Sequence, residues 1–179
     1  MNPPPPRSTY WGPFFVCGQQ ISLSHLEPFE FQCSTPDGIS RLVRVLFTPH
    51  VFTRVHEDGD PPEGMCFRSR IFCPNRYEDS HRLKDIITGL PNARVYQTWE
   101  KRNYVFLAVE IPQRDDRYHL FFSIKKAGSK RNKHIEMRIE SAYRRENSPY
   151  APPNRPNAVR FPVLIQRVFM ERPLKFASR

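Results

Sequence analysis

The sequence contains no run of about 18 apolar residues, the length that a helix needs to cross a bilayer, so it predicts no membrane span. Its first residues lack the charged-then-apolar pattern of a secretory signal peptide, and we expect a cytoplasmic protein without a membrane partner. Glycine is scarce, with 7 residues, whereas 19 prolines are present. Such a stiff composition argues against a flexible linker chain.

The usual signatures of catalysis and cofactor binding are also missing. The sequence has no phosphate loop, nucleophile elbow or glycine-rich dinucleotide fingerprint, and no carboxylate pair placed for general acid–base work. Its cysteines lack the two-residue spacing of a zinc knuckle and have no histidine at a matching interval: Cys17, Cys33, Cys66 and Cys73. We therefore predict no metal site and no cofactor, and we expect reduced thiols.

Positive charge is abundant, and most of it lies in one segment. The formal net charge is +10, and residues 117–145 carry nine basic and two acidic side chains, or +7 of that total. Apolar and polar residues alternate on both sides of a turn at residues 127–132, which predicts a basic β-hairpin. Unbroken alternation places Ile139, Ser141 and Tyr143 on one face. The expected partner is a polyanion, most often nucleic acid; the alternative is a solvated surface that is merely basic.

The remaining patterns predict an α+β domain. The one strong helix signal is an apolar stripe formed by Leu83, Ile86, Ile87 and Leu90. Strand patterns before and after a Thr-Pro-Asp-Gly turn predict an N-terminal β-hairpin. Further strands are predicted at residues 95–99, 104–111 and, kinked or at an edge because of its proline, 159–169.

These elements predict two parts. Residues 1–16, which begin with a run of prolines, form an extended arm. Residues 17–179 form a single α+β domain, in which one main helix packs on an antiparallel sheet meander.

Histidine, hydroxyl and basic side chains are the candidates for chemistry. Among six histidines, His50 has the best setting, because it lies at a predicted strand end close to Thr53 and Arg54. The alternative is that its ring simply packs beside Pro49. Likewise, Tyr143 on the hairpin either packs as an ordinary strand residue or presents its hydroxyl to a phosphate.

A ribonuclease that works without a metal ion needs a base for the 2′-hydroxyl and cations for the charge that develops on the phosphate. The side chains that fit these roles are His50, Arg54, Lys125 and Tyr143, which we predict to be catalytic. Those predicted to contact the nucleic acid are Thr53, Ser123, Lys126, Lys130, Arg131, Lys133, Ser141 and Arg144.

Several segments resemble an uncharacterised bacterial and phage-associated family, some members of which are labelled stationary-phase growth adaptation or heat-shock proteins. The matching segments are residues 47–53, 72–77, 96–98, 118–126, 139–143 and 159–175. The Glu-Ser-Ala-Tyr sequence at residues 140–143 also resembles nucleases of the barnase and RelE-like group. The resemblance implies a small α+β protein that uses an antiparallel sheet as its RNA platform. The helix-borne histidine signature of that group is absent, since His81 stands alone.

Together these features predict a toxin-type, ribonuclease-like domain that acts on RNA with a basic sheet face. The first alternative is a nucleic-acid-binding module without catalysis. The second is a protein-interaction module of a phage, toxin–antitoxin or defence system, whose basic hairpin meets an acidic partner such as an antitoxin. Endoribonuclease activity stays open at this point, because no motif in the sequence requires it.

Overall fold

The computed structural model describes residues 10–62, 65–67, 69–98, 104–111, 116–145 and 158–174; most of the predicted arm lies outside these ranges. Twelve strands and three α-helices are found within them. The strands are β1 (Phe14–Val16), β2 (Gln19–Ile21), β3 (Phe29–Ser34), β4 (Ser40–Phe47), β5 (Thr53–Val55), β6 (Met65–Phe67), β7 (Arg70–Phe72), β8 (Arg94–Gln97), β9 (Tyr104–Ile111), β10 (Asp116–Ala127), β11 (His134–Arg145) and β12 (Ala158–Arg160). The helices are α1 (Pro74–Ser80), α2 (Leu83–Gly89) and α3 (Phe161–Phe169).

Seven strands form the main sheet, in the order β12-β8-β9-β10-β11-β4-β3. Neighbouring strands run antiparallel except for β4 and β11, which are parallel and pair Val43 with Ile135 and Phe47 with Ile139. The predicted α+β class, the N-terminal hairpin β3–β4 and the basic hairpin β10–β11 are therefore confirmed. Two smaller sheets contain β1 with β2, and β5, β7 and β6.

The hydrophobic core covers one face of the main sheet. Helix α3 packs against β10 and β11, and the predicted apolar stripe is present on α2, where Leu83 and Ile87 are fully buried. Each large apolar side chain buried in this way contributes about 1.5–3 kcal/mol. The strand residues of the core include Val43, Val45, Phe47, Tyr118, Leu120, Phe122, Ile135, Met137 and Ile139. Within the described residues, no helix is both long enough and apolar enough to span a bilayer.

The prediction of a last strand over residues 159–169 is wrong beyond Arg160, because the chain turns there into α3. Pro162 lies in the first turn of this helix, where a missing backbone N–H leaves no hydrogen bond unmade. Phe161, Leu164 and Ile165 are buried at helical spacing. The proline therefore starts a helix here instead of kinking a strand.

A β-bulge in β11 changes the side-chain alternation of the basic hairpin. The neighbouring residues Phe121 and Phe122 of β10 pair with Ser141 and Ile139, which are two positions apart. Glu140 is therefore the extra residue of the bulge. The sheet is continuous on both sides of it.

The bulge reverses the faces of the last residues of β11. Ile139 and Ala142 are both buried in the core, so Ser141 and Tyr143 lie on the opposite side of the sheet. The prediction that they share a face with Ile139 is wrong, because it assumed an unbroken period of two. We call the side of the hairpin that faces away from the core the outer face; its described residues are His119, Phe121, Ser123, Lys125, Glu136, Arg138, Glu140, Ser141 and Tyr143.

Candidate nucleic-acid interface

A single 3-10 turn, Pro49–Val51, holds His50 beside the bulge. The Thr48 N–H donates to the carbonyl oxygen of Ile139 at 3.1 Å, and the Thr48 hydroxyl donates to that of Glu140 at 2.9 Å. The Thr48 hydroxyl also accepts a hydrogen bond from the backbone N–H of His50 at 3.3 Å. Because Thr48 bonds to both the bulge and the turn, the position of His50 relative to β11 is fixed.

The turn rests on an apolar base. Val51 and Phe52 are fully buried, and the rings of Trp11 and Phe14 lie 5.3 and 5.4 Å from the Phe52 ring in edge-to-face contacts. The Trp11 indole N–H donates to the Leu26 carbonyl oxygen at 2.8 Å. Aromatic pairs of this kind add about 0.5–1.5 kcal/mol beyond area burial. His50 therefore projects from a well-packed support.

Arg76, near the start of α1, connects this turn to the outer face. Its Nη1 donates to the carbonyl oxygens of His50 at 3.1 Å and Thr53 at 2.8 Å. The same guanidinium lies 4.9 Å from the centre of the Tyr143 ring, a cation–π distance. One arginine thus holds the histidine turn, β5 and the aromatic ring of β11 in fixed relation.

Arg70 on β7 supports the same region from the other side. Its Nε donates to the Thr53 hydroxyl at 2.7 Å and its Nη2 to the Thr53 carbonyl oxygen at 2.9 Å. The Thr53 hydroxyl in turn donates to the Pro49 carbonyl oxygen at 2.7 Å. Two arginines therefore surround the turn, and both are positioned by backbone oxygens.

These cations act on the imidazole of His50, which is solvent-accessible. Its pKa is lowered because packing around the ring disfavours the charged form and because Arg70, Arg76 and Arg138 add positive charge; the Glu140 carboxylate opposes this effect. An imidazole normally titrates near pH 6.5, so a lowered pKa leaves His50 uncharged at neutral pH. An uncharged imidazole is able to accept a proton from a substrate hydroxyl.

Three rings form a triangular cluster on the outer face next to the His50 turn. Phe121 and Tyr143 lie 5.5 Å apart and nearly parallel, and His119 lies 5.9 and 6.0 Å from them. His119 is fully buried, while Phe121 and Tyr143 are half-buried. The guanidinium of Arg76 lies over the Tyr143 ring of this cluster, so two half-buried aromatic rings lie beside the cations.

Glu140 places one carboxylate at this site. Its Oε1 accepts a hydrogen bond from the Ser123 hydroxyl at 2.7 Å, and its Oε2 lies 3.7 Å from Nε of Arg138. Glu140 follows the regular alternation of Glu136 and Arg138 and so lies on the face that carries Ser123. An acceptor-only group is therefore held beside an uncharged imidazole and several cations.

Of the residues predicted to be catalytic, the structure brings His50 and Tyr143 together through Arg76. Arg54 is engaged elsewhere, since both of its Nη atoms contact the Asp60 carboxylate at 2.5 Å. Lys125 lies farther along the outer face and forms a salt bridge with Glu136 at 2.8 Å. The predicted four residues therefore do not form one cluster.

The residues predicted to contact nucleic acid are also divided. Ser123 and Ser141 lie on the outer face, whereas Thr53 is fully buried under Arg70. Arg144 points away from the outer face and forms a bidentate salt bridge with Asp79 of α1. The remaining basic residues lie towards the end of the hairpin: Lys126, paired with Glu171, and the exposed Lys130, Arg131 and Lys133.

Four residues of the site were not predicted. The sequence does contain a signal for Arg138 and Glu140, because the alternation of β11 places both on a polar face. Arg70 and Arg76 carried none, since they come from β7 and α1, far from the hairpin in sequence. Among the residues that the structure describes, no three side chains of His, Cys, Asp or Glu are grouped as a metal ion would require.

In a comparison with protein families, the model of the YjaZ family matches residues 13–169. That span includes the His50 turn, both strands of the basic hairpin and all of α3. A search of curated proteins and a search of solved structures each found no match.

Proposed function

We propose that this chain, which belongs to the YjaZ family, binds RNA on the outer face of its basic hairpin and cleaves it without a metal ion, with His50 as general base. The observation that supports the proposal is the cluster at the bulge. An uncharged imidazole, the arginines Arg76 and Arg138, and an aromatic cluster lie together on elements that are far apart in sequence. The arginines there match phosphates, the aromatic rings match bases, and the imidazole matches a reactive hydroxyl.

The proposed reaction is an internal transfer at phosphorus. His50 takes the proton of a ribose 2′-hydroxyl, whose oxygen attacks the adjacent phosphorus. The 2′-oxygen–phosphorus bond forms, the bond from phosphorus to the 5′-oxygen breaks, and the released oxygen takes a proton from water. The hydroxide left from that water takes the proton from the His50 imidazolium and restores the base. The nearby guanidinium groups stabilise the charge that develops on the other phosphate oxygens, an effect worth about 10²–10³ in rate for each well-placed donor.

The resemblance of residues 140–143 to barnase and RelE-like nucleases supports the same proposal, because those nucleases present an antiparallel sheet to RNA. A toxin-type role in a phage or defence setting, and an acidic antitoxin as partner, belong to this proposal too. They are supported by the concentration of +7 of the formal charge in residues 117–145.

The test is cleavage of a single-stranded RNA in EDTA, with the DNA of the same sequence as the substrate that lacks a 2′-hydroxyl. We expect cleavage of the RNA alone, with a 2′,3′-cyclic phosphate on the product. His50→Ala should lower the rate by about 10²–10³, whereas His56→Ala, a histidine on the loop after β5, serves as the matched control. Equal rates in wild type and His50→Ala would remove His50 from the mechanism.

The pH dependence gives a second test. A general base works only when it is deprotonated, so the rate should be high above the pKa of His50 and fall as the pH drops through it. Because that pKa is lowered, the fall should lie below pH 6.5. A midpoint above the ordinary histidine value would contradict the assignment.

A second candidate function is RNA binding without cleavage. It is favoured by the hydrogen bonds of Arg70 and Arg76, which donate to backbone carbonyl oxygens and so also have a structural role. This candidate predicts binding that weakens steeply with salt and no cyclic phosphate product in EDTA.

A further inference from the structure

A pocket of about 260 Å³ lies next to the His50 turn. Residues from three separate parts of the chain line it, among them Tyr10, Trp11, Leu46, Pro49, Glu136 and Arg138. The volume is below the roughly 300–1,000 Å³ of pockets that hold drug-sized molecules. It therefore suits a single small ring system.

One wall of the pocket is aromatic and preformed. The rings of Tyr10 and Trp11 meet edge to face at 5.2 Å. The Tyr10 backbone N–H donates to the carboxylate of Glu27 at 3.0 Å, and the Trp11 indole N–H donates to the Leu26 carbonyl oxygen. Tyr10 nevertheless keeps 53% of its surface exposed, which leaves its ring accessible to a ligand.

The opposite side is polar. Glu136 and Arg138 are two positions apart on β11, so both lie on the outer face. Glu136, whose Oε1 is paired with Lys125 at 2.8 Å, supplies carboxylate oxygens that accept hydrogen bonds, and Arg138, 59% exposed at its side chain, supplies N–H donors. A planar heterocycle with N–H and carbonyl groups at its edge matches both this edge and the aromatic wall. An aliphatic or purely anionic group would match only one of them.

The pocket adjoins the proposed site of cleavage. Pro49 lines the pocket and also belongs to the turn that carries His50. Arg138 lines the pocket and, with the other nearby arginines, acts on the charge of His50. A strand whose phosphate lies at His50 therefore has an adjacent place for one of its bases.

We infer that this pocket holds a nucleobase of the bound strand, between the aromatic pair and the Glu136–Arg138 edge. This inference rests on the proposed function, since the pocket would be the protein's subsite for a base of the same RNA strand. The base is held by stacking on the Tyr10–Trp11 wall and by hydrogen bonds to Glu136 and Arg138.

The test uses the fluorescence of Trp11 in a full-length Trp99→Phe variant, where it is the single tryptophan. The probes are the four nucleoside 5′-monophosphates and ribose 5-phosphate, which has the sugar and phosphate but no base. At least one nucleotide should bind about 5- to 100-fold more tightly than ribose 5-phosphate. Tyr10→Ala should remove most of that difference, and Phe15→Ala, another exposed aromatic residue of the N-terminal segment, should retain it.

A second variant, Glu136→Gln, tests the polar edge. It should change the order in which the four nucleotides bind while the affinity for ribose 5-phosphate stays within about twofold. If the four nucleotides kept the same order of affinity, the assignment of Glu136 to the polar edge that binds the base would be overturned. Nucleotides that bind no more tightly than ribose 5-phosphate would overturn the whole pocket assignment.

These outcomes are separable from failure of the proposed function. RNA cleavage in EDTA by a protein that does not distinguish nucleotides from ribose 5-phosphate would leave the reaction standing and reject the base pocket. Nucleotide binding at Trp11 by a protein that cleaves no RNA would support the pocket and reject the cleavage reaction.

Discussion

The two ends of the basic hairpin carry similar charge but hold it in different ways. At the tip, Lys130, Arg131 and Lys133 are exposed on a loop. At the bulge, Arg76 and its neighbours are positioned by backbone carbonyl oxygens and by an aromatic ring. The tip therefore presents exposed long side chains, whereas the bulge presents cations in defined places.

This difference shows that the number of positive charges in a segment does not by itself indicate where a catalytic site lies. Loosely held cations attract any polyanion and set its salt dependence. Chemistry requires groups held in place by their surroundings, and such groups are found beside the bulge. The following changes in the free energy of unfolding test the comparison.

The largest effect is expected from removing the apolar base beneath the His50 turn. Phe52→Ala should cost about 3–5 kcal/mol, because it empties a fully buried position that Trp11 and Phe14 contact. Urea denaturation measures the change. The control Phe15→Ala removes the same side chain from an exposed position and should cost less than about 0.5 kcal/mol. Similar costs for the two variants would show that the turn does not depend on this packing.

Backbone geometry at the tip should matter more than its charge. Gly128 has a φ of +92°, and a Cβ there would clash with the carbonyl oxygen of Asn132. Gly128→Ala should therefore destabilise the protein by roughly 1–3 kcal/mol. Gly89→Ala, where nothing lies within 4 Å of the added carbon, should be neutral or slightly stabilising. A neutral Gly128→Ala variant would contradict the close approach of the chain in this loop.

Acid should destabilise the structure around the bulge. The effect acts on α1, because this helix carries Arg76 and ends beside His81. The rings of His25 and His81 stack at 3.7 Å, and burial, followed by the His81 charge, lowers the pKa of His25 to about 4. His25 therefore binds a proton more readily in the unfolded chain than in the folded one. The contribution of the uncharged His25 ring to stability is present above about pH 6.5 and is lost as the pH falls towards 4.

The variant that tests this is His25→Gln. Because the ring is partly exposed, the acid-dependent loss should shrink by roughly 1–2 kcal/mol in the variant, as measured by urea denaturation at pH 7 and pH 4.5. An equal loss in both proteins would show that other groups cause it.

The smallest effect on stability is expected from the charges of the tip. Replacing Lys130, Arg131 and Lys133 together by Gln should change the free energy of unfolding by less than about 0.5 kcal/mol. If the tip contacts RNA phosphates, the slope of log binding constant against log salt should fall by about 2. A large loss of stability would mean that the tip, too, holds its charges in place.

Most of the fold followed from local patterns in the sequence. The strand β9, the basic hairpin and the stripe on α2 all show their period directly, because their neighbours in space are close in sequence or share one core face. The helix α3 also shows its spacing at Phe161, Leu164 and Ile165, but Pro162, which predicts a kinked or edge strand, lies here in the first helical turn.

The site could be predicted only in part. The setting of His50 and Tyr143 in the sequence indicates them, but the bulge at Glu140, which places Ser141 and Tyr143 on the outer face, has no signal in the alternation of β11. Arg70 and Arg76 reach the site through tertiary packing of β7 and α1. Contacts of that kind have no local sequence pattern.

The parallel pairing of β4 with β11 has a consequence for biosynthesis. β4 lies in the first third of the sequence, and its partner is the last long strand, so an edge of the β3–β4 hairpin stays open until residues near 140 have left the ribosome. Pairings between such distant segments slow folding and leave exposed strand edges that other chains can join. Nascent chains halted before β11 should therefore associate through β4 far more readily than the completed protein.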